Sequence, residues 1–282
     1  MTDQPSLQLP ADLAHSVRTA LAEDVGSGDL TATLIPASRL VSADVVCREA
    51  AVIAGAPWFD AVYAELDPSV EVSWQYDDGA AVAPDVVVCT LRGPARAIVT
   101  GERTALNFLQ TLSGTATVTR RYVDAVAGSP TRILDTRKTL PGLRAAQKYA
   151  VRAGGGCNHR MGLFDAVLIK ENHIAAAGSI AAAVSAIRER HRGVRIEVEV
   201  ESLAELEQAL SAEADMIMLD EFDLPTLRRA TALVAGRATV EISGNVSLER
   251  LGELATVGAD FISIGSLTKH VRAIDFSMRI QK

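Results

Sequence analysis

Arg137-Lys138, His159-Arg160 and Lys170 are side chains that could grip an anion, and they fall within a single stretch of the chain, Asp135–His173: DTRKTLPGLRAAQKYAVRAGGGCNHRMGLFDAVLIKENH. An arginine offers a planar fork that matches a carboxylate, and a lysine offers a point charge that suits phosphate. From Arg132 to His173 there are 8 Lys and Arg against 3 Asp and Glu, a local +5 in a chain whose total is −7. A basic island in an acidic chain points to a small, highly charged anion.

Other chemistry lies further along. Glu197, Glu199 and Glu201 alternate with valines, and Asp220 closes the run MIMLD. If that strand lies inside a helix-covered sheet it has no solvated face, so at least one glutamate must face a charged cavity. There it could pair with lysine, hold Mg²⁺, or contact ribose hydroxyls. Ser243-Gly244-Asn245 and Gly265-Ser266 are small residues after apolar runs, a pattern that cradles phosphate on backbone N–H groups. Gly154-Gly155-Gly156 precedes His159-Arg160 and is no Walker loop, since no GK[ST] follows. Three glycines instead suggest backbone held close to something, or a mobile loop. Arg144, Lys148 and Arg152 (i, i+4, i+8) read as a solvated or interface helix face, as does the row Arg103, Asn107, Gln110.

Positioning these groups requires a rhythm of strands and helices. From Thr131 the strands read as 131–135, 166–169, 194–200, 215–219, 239–242 and 261–264, separated by helical patterns such as Ile180, Val184 and Ile187. Ser202 with Glu205 reads as a capping box. Six βα units imply parallel strands with crossover helices. Polar residues close every one of these strands: Thr136-Arg137-Lys138, Lys170, Glu201, Asp220, Ser243 and Gly265-Ser266. An open sheet would concentrate them at one switch point, whereas a barrel spreads them around its carboxyl rim. The expected class is therefore α/β: an N-terminal α+β domain, residues 1–112, then an incomplete, about six-stranded α/β barrel, residues 113–282, with the last residues packing back on the first domain. In the first part, a helix at 12–22 precedes strands at 41–47, 70–76 and 86–91. Two helices follow at 95–112 and 115–127.

Composition bounds the function. The chain has 282 residues, 48% hydrophobic and 22% charged, with pI near 5.3, which opposes nucleic-acid or membrane-surface partners. Cys47, Cys89 and Cys157 lie far apart with no metal spacing. No signal peptide or apolar run of about 18–20 residues is seen, so a cytoplasmic protein is expected.

The runs GERTALNFLQTLSG, DTRKT…GGGCNHRMGLFDAVLIKENH, IEVEVESL, MLDEF, ISGNVS and IGSLTK, with EDVGSGDLT near the N-terminus, resemble quinolinate phosphoribosyltransferases over nearly the whole chain. The resemblance implies transfer of phosphoribose from phosphoribosyl pyrophosphate to quinolinate, giving nicotinate mononucleotide, pyrophosphate and CO₂ with Mg²⁺. It implies a homodimer, or a dimer-based hexamer, with an active site shared between subunits. Arg103 would then reach quinolinate across the interface. Thr136, Arg137, His159 and Arg160 would bind it, and Lys138 and Lys170 would lie between it and the sugar phosphate. Glu199 and Asp220 would serve ribose and metal, and Ser243, Gly244, Asn245, Gly265 and Ser266 would hold phosphate. Lys138, Lys170, Glu199 and Asp220 carry the catalytic expectation. Two positions depart from the family pattern. Thr115 stands in LSGTAT where an apolar residue is usual, which should affect packing only. In SLTKHVR, His270 sits one place later than the histidine of some relatives and is given no role. Competing readings are a Schiff-base barrel aldolase using Lys138 or Lys170, and a non-decarboxylating or anion-binding relative.

Overall fold

The structure, a computed structural model, describes residues 7–244 and 246–281. In chain order the elements are α1 (Leu13–Val25), β1 (Leu40–Cys47), β2 (Ala51–Val52), α2 (Ala56–Leu66), β3 (Glu71–Trp74), β4 (Ala81–Val82), β5 (Val86–Pro94) and α3 (Ala95–Ala125). They continue with β6 (Arg132–Leu134), α4 (Arg144–Ala153), β7 (Val167–Ile169), α5 (Glu171–Ala177), α6 (Ile180–Arg190), β8 (Ile196–Val200), α7 (Leu203–Ser211) and β9 (Met216–Asp220). Last come α8 (Leu224–Val234), β10 (Thr239–Ser243), α9 (Leu251–Leu254), β11 (Phe261–Ser263), α10 (Ser266–Lys269) and β12 (Phe276–Ile280). Two compact units form, and they are not contiguous in sequence. One gathers the chain up to Arg120 with Thr139–Gly155 and the stretch from Ser266. The other gathers Arg121–Lys138 and Gly156–Gly265.

The first unit holds an antiparallel sheet in the order β12-β1-β5-β3. Its apolar face is covered by Trp58, Phe59, Val62 and Tyr63 of α2 and by Ile98, Leu106, Leu109 and Leu112 of α3, all buried. Phe59 meets Trp74 edge-on at 5.3 Å, a favoured aromatic geometry. The sequence suggests two helices at 95–112 and 115–127; the structure has one, because the Ser113-Gly114 pair serves packing instead of a break. Ser113 Oγ accepts from Ala54 N, and Thr117 Oγ1 accepts from Val52 N, so the helix satisfies backbone donors of β2 and the residues after it. Thr115 is buried and returns its hydroxyl to the Thr111 carbonyl, so the hydroxyl at this otherwise apolar position keeps a partner. An added Cβ at Gly114 would lie 2.2 Å from the Arg272 carbonyl oxygen, closer than any side chain can sit.

The row Arg144, Lys148, Arg152 is not a solvated face. Lys148 is only 1% exposed, and Ala146, Gln147, Tyr149, Ala150, Val151 and Ala153 are buried around it. Charge spacing suggested surface, but α4 is packed on nearly every side: Tyr149 stacks edge-on against Trp58, and Gln147 bonds the Thr268 carbonyl. Gly154 explains part of the triple glycine. A Cβ there would meet the Ala116 carbonyl at 2.6 Å, so α4 can end against α3 only without a side chain.

The second unit is a six-stranded parallel sheet in the order β6-β11-β10-β9-β8-β7. Each strand from β7 to β10 pairs with its successor, and the first, β6, pairs with the last, β11. That cyclic order is a barrel's, left open between β6 and β7, as the sequence pattern implied. Helices α6, α7 and α8 start on serine or aspartate caps: Ser179, Ser202 and Asp223 each accept an N–H from three residues on. Glu205 reaches one residue beyond the cap, to Glu201 N, a variation on the expected box. All five residues of β8 are buried, as expected of a parallel strand covered on both faces.

Gly114→Ala should destabilise the first unit by about 2 kcal/mol and lower the melting temperature by roughly 5 °C, since the helix or the Arg272 backbone must move. Thermal denaturation followed by circular dichroism checks this; an unchanged midpoint would contradict the close contact.

Candidate active site

Strand alternation sorts the inward residues of the second unit into layers. At the carboxyl rim lie Lys170, Glu199, Asp220, Ser243 and Gly265, each two residues beyond Leu168, Glu197, Met218, Glu241 and Ser263 in the layer below. A cavity of about 290 Å³ opens here, lined by Thr136, Arg137, Lys138, His159, Arg160, Leu168, Lys170, Glu199, Met218, Asp220, Glu241, Ser243 and Ser263. Nine residues singled out from sequence thus converge: Thr136, Arg137, Lys138, His159, Arg160, Lys170, Glu199, Asp220 and Ser243. A larger cavity, about 460 Å³, lies in the first unit between α1, α3 and Pro141–Leu143, but it lacks the convergent cations.

The others fall differently. Gly244 takes φ +89°, and a Cβ there would lie 2.8 Å from Glu221 N; the tight turn demands glycine irrespective of any ligand. Gly265 leaves room for Lys138, whose Cδ would be 3.1 Å from an added Cβ. Arg103 is exposed on α3 of the first unit and does not line the cavity. Ser266 begins α10. Asn245 lies outside the described residues.

Charge is arranged in pairs. Lys170 is ion-paired with Glu199. Burial pushes the Glu199 carboxyl up, Lys170 opposes this, and Asp220 and Glu171 add to the rise. Burial, and then the nearby charge of Arg137, pull Arg160 below the usual guanidinium range. The segment carrying His159 and Arg160 is tied down by Asp135, which is fully buried: its carboxylate accepts from Asn158 Nδ2 at 2.6 Å and from His159 N at 2.9 Å. His159 Nε2 lies 2.8 Å from Glu197 Oε2 and 3.4 Å from Glu241 Oε2, and its Nδ1 accepts the Arg160 N–H at 2.7 Å. Burial opposes a charged imidazole, but the two glutamates facing Nε2 outweigh it and push His159 up, to about 9. Burial pushes Glu241 up, to about 7. The Arg160 N–H aimed at Nδ1 opposes a second ring proton, so the two carboxylates act by holding the single ring hydrogen on Nε2.

Sequence reading missed Asp135 as an anchor and Glu241 altogether. The signal was present: Glu241 interrupts Val240 and Ile242 in a covered parallel strand, the same argument that singled out Glu197–Glu201.

The rim thus combines a cationic wall, a carboxylate pair and small-residue turns at the carboxyl end of a parallel barrel, which defines an enzyme-type site for a substrate pair bearing carboxylate and phosphate. Comparison with known proteins is specific. The profile described as quinolinate phosphoribosyl transferase, C-terminal domain, matches residues 115–279, and that of the N-terminal domain matches residues 29–113. A probable nicotinate-nucleotide pyrophosphorylase [carboxylating] of Synechocystis is 43% identical over 264 residues, 92% of this chain and 90% of that protein. The nicotinate-nucleotide pyrophosphorylase [carboxylating] of Mycobacterium leprae is 42% identical, over 93% of this chain and 95% of its own. The solved nicotinate-nucleotide pyrophosphorylase of Francisella tularensis superposes with a TM-score of 0.94 at 45% identity, covering 100% of both chains. The chain belongs to the quinolinate phosphoribosyltransferase family.

In the folded chain Glu241 keeps its proton to a higher pH than in the unfolded chain. The Glu241 shift is upward, from 4.5 to about 7, so its stabilisation is full below about pH 4.5 and is lost as pH rises through about 7. Melting temperature should fall more steeply over that range in the native protein than in Glu241→Gln. Parallel profiles would contradict the retained proton.

Proposed function

We propose that this protein transfers phosphoribose from phosphoribosyl pyrophosphate to quinolinate and releases CO₂, forming nicotinate mononucleotide and pyrophosphate. The observation that carries the reading is the convergence of Arg137, Lys138, Arg160 and Lys170 with Glu199 and Asp220 around one cavity, in a chain of this family. Quinolinate is a dianion, and two arginine forks on one wall suit its carboxylates and turn its ring nitrogen toward the ribose. As the nitrogen bonds C1, the C1–oxygen bond to pyrophosphate breaks. Positive charge develops on the sugar, and Glu199 and Asp220 would stabilise it. The new pyridinium then accepts the electron pair left when the adjacent carboxylate departs as CO₂, and a proton takes its place. No side-chain nucleophile is required.

Mg²⁺ fits the donor set. Glu199 and Asp220 are neighbouring carboxylates at the rim, near enough for Asp220 to raise Glu199, and hard oxygen donors suit this ion. Bound there, it would neutralise phosphate charge on the departing group. Lys138 and Lys170 add cationic charge beside it. Ser243, Gly244, Asn245, Gly265 and Ser266 are assigned to phosphate. A homodimer, alone or assembled into a hexamer, fits the exposed Arg103 and the apolar Leu30 and Leu34, 87% and 83% exposed on the first unit. Among the described residues no helix is long and apolar enough to cross a membrane, in keeping with a cytoplasmic location. A Schiff-base aldolase is disfavoured: an imine-forming lysine presents a neutral amine, whereas Lys170 is held by Glu199.

Purified protein should release CO₂ from carboxyl-labelled quinolinate only with both phosphoribosyl pyrophosphate and Mg²⁺; no release from folded protein would sink the assignment. Nicotinate consumed as readily would point to a non-decarboxylating relative. Arg137→Ala should raise KM for quinolinate at least about tenfold while changing that for phosphoribosyl pyrophosphate much less; equal losses would contradict its role.

A further inference from the structure

Below the rim, two glutamates occupy positions that barrels ordinarily fill with branched aliphatics. Glu197 is 3% exposed and Glu241 is fully buried. Among the described residues no well-formed hydrogen bond reaches Glu197 Oε1 or either oxygen of Glu241, which His159 Nε2 approaches only at 3.4 Å. Burying two carboxylates with so few partners is costly, so their presence needs a reason. The one side chain that engages both is His159, whose Nε2 lies 2.8 Å from Glu197 and 3.4 Å from Glu241.

His159, Glu197 and Glu241 also have the spacing of a metal site, with candidate ligand atoms all within 4.8 Å. The other ring nitrogen excludes that use. Nδ1 accepts the Arg160 N–H at 2.7 Å, so Nδ1 carries the lone pair and Nε2 carries the hydrogen. A protonated Nε2 cannot ligate a cation; it donates to the carboxylates. Both ring nitrogens are then engaged within the protein, which leaves neither for a substrate carboxylate.

We infer that Glu197 and Glu241 are positioning residues: they hold His159 as a strut between the barrel floor and the Arg160 backbone, and thereby aim Arg160 at the dicarboxylate. The substrate assignment rests on the reading above; the strut itself does not. The segment is fixed at two buried points. Asp135 holds the Asn158 side chain and the His159 N–H, and the glutamate pair holds the ring. Arg160 also donates Nη1 to the Ala166 carbonyl, which restrains the guanidinium from the other side. The contribution of His159 to anion binding is therefore indirect, through the arginine that follows it.

The test uses the full chain with Mg²⁺. Glu241→Gln and Glu197→Gln should each raise KM for quinolinate about tenfold while KM for phosphoribosyl pyrophosphate stays within about twofold, and either change combined with His159→Gln should add little. Equal losses for both substrates, or additive effects with His159→Gln, would overturn the strut. ¹⁵N spectra of histidine-labelled native protein, with His159 assigned through His159→Gln, need no variant of the glutamates to fold and no activity. A neutral Nε2–H tautomer supports the inference; an Nδ1–H tautomer or an imidazolium overturns it, as does Mn²⁺ binding lost in Glu241→Gln but retained in Glu199→Gln. If quinolinate is not turned over at all, the functional reading fails while the tautomer still decides the strut.

Discussion

The ion pair between Lys170 and Glu199 expresses the constraint on which the site depends. A parallel strand covered by helices has no wet face, so a charge that points inward must meet an opposite charge or a hydrogen-bond donor there. The second unit places four carboxylates on inward positions of β8, β9 and β10: Glu197, Glu199, Asp220 and Glu241. Its cations come from loop and strand ends, Arg137, Lys138, Arg160 and Lys170. Each set makes the other tolerable. The rim stays polar and preorganised, so a substrate pair, one member a dicarboxylate and the other a pyrophosphate, can exchange partners with it.

The two layers of the barrel divide this work. At the rim, Lys170, Glu199, Asp220 and Ser243 face open space and can meet ligand. One step down, Glu197 and Glu241 are buried, and His159 is the side chain that meets both. A deeper charged layer gives the loop at Asn158–Arg160 a fixed point that an aliphatic floor could not offer. Asp135 supplies the second fixed point from the end of β6. A loop held at both ends leaves its arginine little freedom.

Glycines mark where backbone, not side chain, sets the geometry. Gly114 admits the Arg272 carbonyl against α3, Gly154 lets α4 end on α3, and Gly265 admits the Lys138 side chain. Gly244, at φ +89°, owes its identity to conformation as well. A glycine motif that reads as a phosphate cradle therefore has, at Gly244 and Gly265, a structural reason as well.

The sequence by itself determined the six parallel strands, the polar groups at their ends, and most of the residues that gather at the rim, because strand period and covered faces leave inward charges few places to go. It also carried the family, through the long run from Asp135 to His173. Only the tertiary structure decided the rest. Ser113-Gly114 looked like a helix break until packing showed that α3 needs a small residue there. Arg144, Lys148 and Arg152 looked like surface, since spacing cannot reveal that α4 is enclosed on nearly every side. Glu241 escaped notice, and the contacts of the His159 ring were hidden, because which nitrogen faces which carboxylate depends on strands 38 and 82 residues further on being brought side by side.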